Sequence, residues 1–167
     1  MRPSYELLPP AGKGAKPDPA MPSKDRPAAP HPARRSAALL YAAVAAGSVI
    51  GGSLRYMASA LIHQLFGTGF PWGTLFVNVT GSLAIGFYAA LAGPDGRLLA
   101  GPRQRHFVMT GICGGYTTFS VFSLETFQLL QAGALTMAGL NVAVSLLGWL
   151  GAVWLGYALA MRYNRLR

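Results

Sequence analysis

Residues 114–123 read Gly-Gly-Tyr-Thr-Thr-Phe-Ser-Val-Phe-Ser and lie inside an otherwise apolar part of the chain. Adjacent glycines permit close backbone approach and local unwinding, and four small hydroxyl side chains follow them. Irregular backbone at membrane depth is tolerated only where protein or water surrounds it. The stretch therefore predicts a pore segment in which a membrane helix is broken near the midplane of the bilayer.

The composition of the whole chain is that of a membrane protein. Of its 167 residues, 52% are hydrophobic and 11% are charged, which is more apolar than an ordinary soluble domain. Long stretches lack Asp, Glu, Lys and Arg, and one helical crossing takes about 20 residues. We predict an all-α membrane protein with four transmembrane helices, the third of them broken, near 37–63, 72–92, 104–130 and 134–160.

The two ends of the chain differ from this apolar part. Residues 1–36 contain nine prolines and seven Lys or Arg, so they cannot bury enough apolar surface to offset the entropy of ordering. We predict a disordered basic Pro/Ala-rich tail over 1–36, a four-helix domain over 37–161 and a basic end over 162–167.

Arginines flank only one side of the predicted bundle, while the loops on the other side contain no Lys or Arg. Under the positive-inside rule, both termini then face the cytoplasm. The formal net charge of +9 is explained by this topology in a lipid bilayer, and nucleic-acid binding is not expected because the short loops offer no folded basic face. The arginines concerned are Arg34, Arg35, Arg97, Arg103, Arg105, Arg162, Arg165 and Arg167.

Polar side chains deep in a membrane need partners, because lipid supplies none. Asn78 and Thr80 fall in the second predicted helix, and Asn141 and Ser145 share one face of the fourth because they are four residues apart. These groups could line a polar track, or they could bond their own helix and join neighbouring helices. For a single hydroxyl we favour the structural role, and for Asn78 we favour function.

Two aromatic residues just after the break and two charged residues nearer the membrane surface allow two interpretations each. Phe119 and Phe122 are three residues apart, and such rings either pack or present positive edges to a small anion. Arg55 and Glu125 fall near one surface of the membrane, where interfacial anchoring is the favoured role and where they could pair. Arg55 could also raise the anion concentration at a pore mouth.

Three motifs together resemble those of the Fluc-type fluoride channel family, also called CrcB proteins. The motifs are GGSLRY at 51–56, GTLFVNVTGS at 73–82 and the stretch at 114–123, and the resemblance covers residues 38 to 160. Tyr116 stands where the family pattern leads us to expect phenylalanine.

The resemblance implies a fluoride-selective channel in the cell inner (plasma) membrane that exports fluoride passively from the cytoplasm and lowers its toxicity. It also implies an antiparallel dimer with two pores and one structural sodium ion, held by the backbone carbonyls of Gly114 and Thr117. Asn78 would donate to the anion, Arg55 would belong to a positive vestibule, and two groups would line the pores. These are the aromatic edges of Phe119 and Phe122 and the polar track of Thr118, Ser120, Ser123 and Ser145.

Two questions stay open at this point. The strong arginine bias suits a chain that inserts one way, whereas an antiparallel homodimer needs the same chain in both orientations. The expected assembly is therefore either an antiparallel homodimer or a heterodimer with an oppositely oriented paralogue. The alternative function is a small dual-topology proton-coupled drug exporter, which needs a membrane-embedded carboxylate. The first predicted helix has none, and Glu125 is too shallow. A structural membrane subunit is a third possibility, and no enzyme activity is expected because no nucleophile, base and orienting group converge.

Overall fold

The computed structural model describes residues 32–94 and 96–165, and this part of the chain is helical throughout its regular structure. Four helical segments are long and apolar enough to cross a membrane, which confirms the predicted all-α membrane class. They are Arg35–Phe66, Trp72–Leu91, Pro102–Gln131 and Leu135–Arg165. A disordered tail was predicted for 1–36, and its residues 1–31 lie outside the described part of the chain.

The first, second and fourth crossings are continuous helices: α1 (Pro32–Phe66), α2 (Trp72–Leu91) and α6 (Leu135–Arg165). α1 begins at Pro32, five residues before the predicted start at 37. Proline is compatible with this position, because its missing N–H needs no partner in the first turn of a helix. Gly67, with φ of 75°, ends α1 by donating its N–H to the His63 carbonyl at 2.9 Å.

The third crossing consists of several shorter pieces. It runs through α3 (Pro102–Arg105), π1 (His106–Cys113), α4 (Gly114–Tyr116) and α5 (Ser120–Gln131), where π1 is a π-helix. The helix ends at Tyr116: the Thr117 N–H still donates to the Cys113 carbonyl at 3.0 Å, but Thr117 takes the extended conformation with φ −82° and ψ 160°. The irregular backbone therefore lies at Thr117–Phe119, three residues beyond the first glycine of the motif.

The glycine pair itself is helical, which differs from the unwinding predicted for it. Gly114 has φ −66° and ψ −35°. At Gly115, an added Cβ would lie 2.7 Å from the Ser48 carbonyl oxygen and 2.9 Å from Ser48 Cα. Gly115 is therefore required for the close approach of α4 to α1, because any side chain there would overlap the α1 backbone.

The crossings pack in two tight pairs, α2 against α6 and α1 against π1 and α4. Small residues make both contacts close: a Cβ at Gly86 would overlap the Val153 carbonyl, and one at Gly47 would meet the Phe107 carbonyl oxygen. At Gly151 on α6, by contrast, no atom of the described residues lies within 4 Å of a built Cβ.

The alternating crossings bring the start of α1, the segment between α2 and π1, and the end of α6 to one end of the bundle. Arg97 lies over the Tyr163 ring at that end, with its guanidinium carbon 4.3 Å from the ring centroid. The nearby Asn164 donates to the Ala90 carbonyl at 3.1 Å. The basic end is thus held to the bundle by contacts between α2, the following segment and α6.

Candidate functional site

A cavity of about 390 Å³ opens beside the interruption of the third crossing, between α2, α4 and α6. Three residues singled out from the sequence line it, namely Asn78, Thr118 and Phe119. Gly114 and Thr117, the two residues implied as sodium ligands, also line it. The side chains that line this cavity include no charged group.

Asn78 fixes the irregular segment through two reciprocal hydrogen bonds with the backbone of Thr118. Its Nδ2 donates to the Thr118 carbonyl at 2.8 Å, and its Oδ1 accepts from the Thr118 N–H at 2.7 Å. Both residues are buried, with 4% of Asn78 and 8% of Thr118 exposed, so little water competes for these bonds. One Nδ2 hydrogen of Asn78 remains for another acceptor, because a primary amide carries two.

Thr118 begins α5 by capping it. Thr118 lies two residues before the start of α5, and its Oγ1 accepts from the N–H of Val121, the second residue of that helix, at 3.2 Å. It thereby satisfies a first-turn N–H, as a capping side chain does. The same hydroxyl lies 3.2 Å from the Ser120 Oγ. The sequence Thr-x-x-Val therefore restarts the helix directly after the extended residue Thr117.

These side-chain bonds take backbone donors away from the α-helical ladder. In a continuous α-helix, the Gly114 carbonyl would accept from the Thr118 N–H and the Thr117 carbonyl from the Val121 N–H. Asn78 and the Thr118 hydroxyl bind those two donors instead. The carbonyls of Gly114 and Thr117 are thus left without their α-helical partners, and neutral carbonyl oxygens are ligands that hard cations accept.

Arg55 contacts one of these two carbonyls. Its Nη1 donates to the Thr117 carbonyl oxygen at 3.3 Å, a long hydrogen bond from a half-buried side chain. A carbonyl oxygen has two lone pairs, so one remains for a further partner. Arg55 therefore lies beside the extended residue Thr117, and its depth in a membrane stays a prediction.

Glu125 does not pair with Arg55 in the described structure. The Glu125 carboxylate faces the Thr74 hydroxyl and the His63 ring, and its Oε2 is buried without a hydrogen-bond partner among the described residues. Of the two arrangements considered from the sequence, separate placement is the one observed.

The aromatic residues of the motif differ in their surroundings. Phe119 is 69% exposed and Phe122 is 7% exposed, and their ring centroids are 5.6 Å apart. The Phe122 ring also meets the Trp149 ring in an edge arrangement at 4.9 Å. The two phenylalanines are therefore neighbours, with only Phe119 at the open side of the cavity.

The remaining residues of the predicted polar track are not brought together. The Ser123 hydroxyl donates to the Phe119 carbonyl at 2.9 Å, which is the local bonding considered above for single hydroxyls. Ser145 donates to Asn141, whose Nδ2 donates to Thr126 on α5 at 2.9 Å. Ser145 thus belongs to a polar contact between α5 and α6, and its role in a pore stays a prediction.

Sequence reasoning missed Cys113 and Trp149, which also line the cavity. For Cys113 the sequence carries no signal beyond its position before the glycines. For Trp149 a signal existed, because Asn141, Ser145 and Trp149 follow one another at intervals of four and so share one face of α6.

Comparison with known proteins extends over most of the chain. Residues 42–157 match the family described as "CrcB-like protein, Camphor Resistance (CrcB)". A relative from Rhodopseudomonas palustris named fluoride-specific ion channel FluC 1 is 65% identical over 80% of this chain and 94% of its own. A FluC 1 from Bradyrhizobium diazoefficiens is 58% identical over 80% of this chain and 93% of its own. A FluC 3 from Brucella abortus is 44% identical over 75% of this chain and 92% of its own.

Proposed function

Because the chain belongs to the CrcB family, as its three motifs predicted, we propose that it is a fluoride-selective ion channel that passively exports fluoride from the cytoplasm. The relatives are named as ion channels, which agrees with the prediction that the chain is not an enzyme. The observation that carries the proposal is the uncharged polar cavity beside an interruption held open by Asn78 and Thr118.

Fluoride is small and strongly hydrated, so a selective path must replace its water with hydrogen-bond donors while avoiding a fixed charge that would trap it. The cavity offers the remaining Nδ2 hydrogen of Asn78 and the hydroxyl of Thr118, and its lining residues are uncharged. The exposed Phe119 ring at its open side supplies a positive edge without a full charge. Neutral donors of this kind permit rapid release of the ion.

Passive conduction is sufficient for export. An inside-negative membrane potential favours exit of an anion by about 2.3 kcal/mol per elementary charge for each ~100 mV. Fluoride leaves the cytoplasm under this driving force, and its toxicity falls with its concentration. The chain would do so as a multi-pass protein of the inner (plasma) membrane.

A structural sodium ion is part of the proposal, together with an antiparallel dimer. The carbonyls of Gly114 and Thr117 would hold the ion, because side chains have taken their α-helical donors. One pair of carbonyls is too few for a hard cation, and a second subunit would supply an equivalent pair. A bound sodium ion would supply positive charge that fixes the two interrupted segments against each other.

The sodium proposal is tested by thermal unfolding of the purified protein with sodium replaced by N-methylglucamine. The unfolding midpoint should fall and should recover with sodium concentration, as expected for a ligand that binds only the folded state. A midpoint that is independent of sodium would contradict the site.

The partner in the dimer is either a second copy or an oppositely oriented paralogue. The names of several relatives carry numbers, such as FluC 1 and FluC 3, which is compatible with paralogous partners. Tags at both ends of the chain, mapped for sidedness in cells that lack any relative, separate the two. A single orientation would exclude the antiparallel homodimer.

Fluoride efflux from liposomes tests the function itself. The purified chain should release fluoride once a potassium ionophore removes the charge imbalance, and a protonophore should leave the rate unchanged. Release that depends on the proton gradient would indicate coupled transport of the kind that the drug-exporter alternative requires. The absence of fluoride release would overturn the proposal.

A further inference from the structure

Trp149 carries a buried hydrogen-bond donor for which the described part of the chain offers no acceptor. The residue lines the cavity beside the interruption, and its indole Nε1 is buried with no hydrogen-bond partner among the described residues. Leaving such a donor unpaired costs about 1–3 kcal/mol, so an orphaned buried N–H in a native protein calls for an explanation, such as an ion or water that binds it.

The surroundings of the indole separate it from the other polar groups on the same face of α6. Ser145 donates to Asn141, and Asn141 donates to Thr126, so both have partners within the bundle. Trp149, one turn further along α6, instead meets the ring of Phe122 at 4.9 Å. Phe122 in turn contacts Phe119 at the open side of the cavity.

The three rings therefore form a row from the exposed Phe119 through the buried Phe122 to the indole of Trp149, whose N–H has no partner among the described residues. An indole N–H is a donor only and stays protonated, so it cannot accept a hydrogen bond or carry charge at any ordinary pH. Among simple halides, it favours the strongest and smallest acceptor. These properties match what a selective but rapidly exchanging anion site requires.

We propose that the Nε1–H of Trp149 is a hydrogen-bond donor to the permeating fluoride and contributes to its selection over chloride. This inference rests on the proposed function, since it assigns a further residue to the same path. Trp149 acts there together with the free amide hydrogen of Asn78 at the same cavity.

The first test is the substitution Trp149→Phe, which keeps an aromatic ring and removes the N–H. The fluoride concentration that gives half-maximal efflux from liposomes should rise about tenfold, since a hydrogen bond to an ion is worth at least that factor. Chloride permeation, which does not depend on this donor, should stay unchanged. The matched control is Trp154→Phe on the same helix, where the side chain is 70% exposed, and its half-maximal concentration should stay within about twofold of wild type.

A second test observes the indole directly and does not depend on the folding of Trp149→Phe. The chain contains three tryptophans, so the double variant Trp72→Phe/Trp154→Phe leaves Trp149 as the only one. Sodium fluoride should cause a saturable change in its fluorescence, and sodium chloride at equal ionic strength should not.

The outcomes separate the inference from the function on which it rests. Wild-type protein that releases no fluoride would overturn the channel. Wild-type protein that releases fluoride, with Trp149→Phe unchanged in half-maximal concentration or with no fluoride-dependent fluorescence in the double variant, would overturn the role of Trp149 and leave the channel intact.

Discussion

Replacing Asn78 with alanine should both destabilise the protein and impair fluoride efflux. The substitution removes the acceptor of the Thr118 N–H at 2.7 Å and the donor to the Thr118 carbonyl at 2.8 Å. Thr118 is only 8% exposed, so both backbone groups would be left buried and unpaired. At about 1–3 kcal/mol for each group, the expected loss is roughly 2–6 kcal/mol.

Two measurements on the same preparation check this expectation: thermal unfolding in detergent and fluoride efflux from liposomes. The midpoint should fall, and efflux should decrease at least tenfold because the segment that shapes the cavity is no longer held. The control is Asn164→Ala, which removes the hydrogen bond from the Asn164 side-chain amide to the Ala90 carbonyl, far from the cavity. It should cost less stability, since only one bond is lost, and should leave efflux at the wild-type rate.

A companion variant separates the positioning role of Asn78 from its role toward the ion. In Asn78→Asp, one carboxylate oxygen can still accept from the Thr118 N–H, whereas the other faces the Thr118 carbonyl and places negative charge at the cavity. Efflux should therefore fall more than the unfolding midpoint suggests. An Asn78→Ala protein with both the wild-type midpoint and the wild-type efflux rate would refute the reasoning.

Three further predictions follow from contacts around the interruption. Gly115→Ala should lower the unfolding midpoint by an amount equivalent to about 1–3 kcal/mol, because its Cβ would lie 2.7 Å from the Ser48 carbonyl oxygen. The control Gly151→Ala should not lower the midpoint, because no described atom lies within 4 Å of its Cβ. An equal effect of the two substitutions would contradict the close contact. Thr118→Val should lower the free energy of unfolding by about 1 kcal/mol, because the Val121 N–H loses its hydroxyl acceptor, and Thr118→Ser should retain most of that stability. Equal unfolding midpoints of the two variants would contradict the capping role. Arg55→Gln should reduce fluoride efflux at low ionic strength and reduce it less at high ionic strength, because salt screens the attraction of the guanidinium for anions. Equal efflux of variant and wild type at low salt would contradict a role of the Arg55 charge.

The helices were the most predictable part of the molecule. Charge-free stretches long enough to cross a bilayer are a strong signal, and the second predicted helix, 72–92, matches α2 (Trp72–Leu91) within one residue. The prediction missed the start of α1 at Pro32, because the change from basic, proline-rich sequence to apolar sequence comes only after residue 36. A helix can begin before its apolar residues do. The π-helix π1 left no recognisable pattern, since periodicity does not distinguish it from an α-helix over eight residues.

The candidate site shows where sequence reasoning stops. Asn78, Thr118 and Phe119 line one cavity, and their role in a pore stays a prediction. The reciprocal bonds between Asn78 and Thr118 join residues 40 apart in the chain, and only the packing of α2 against the third crossing determines them. Sequence spacing could not give that packing, and it could not show that Ser145 has its partner in Asn141.

The bonds that interrupt the third crossing come partly from another helix, and this has a consequence for how the molecule is made. A lone third crossing in lipid lacks the Asn78 amide, so its Thr118 N–H can be satisfied only by the regular spiral. The interruption therefore depends on the packing of α2 beside the third crossing. A chain in which these two segments have not yet met is expected to hold a regular helix there, without the cavity.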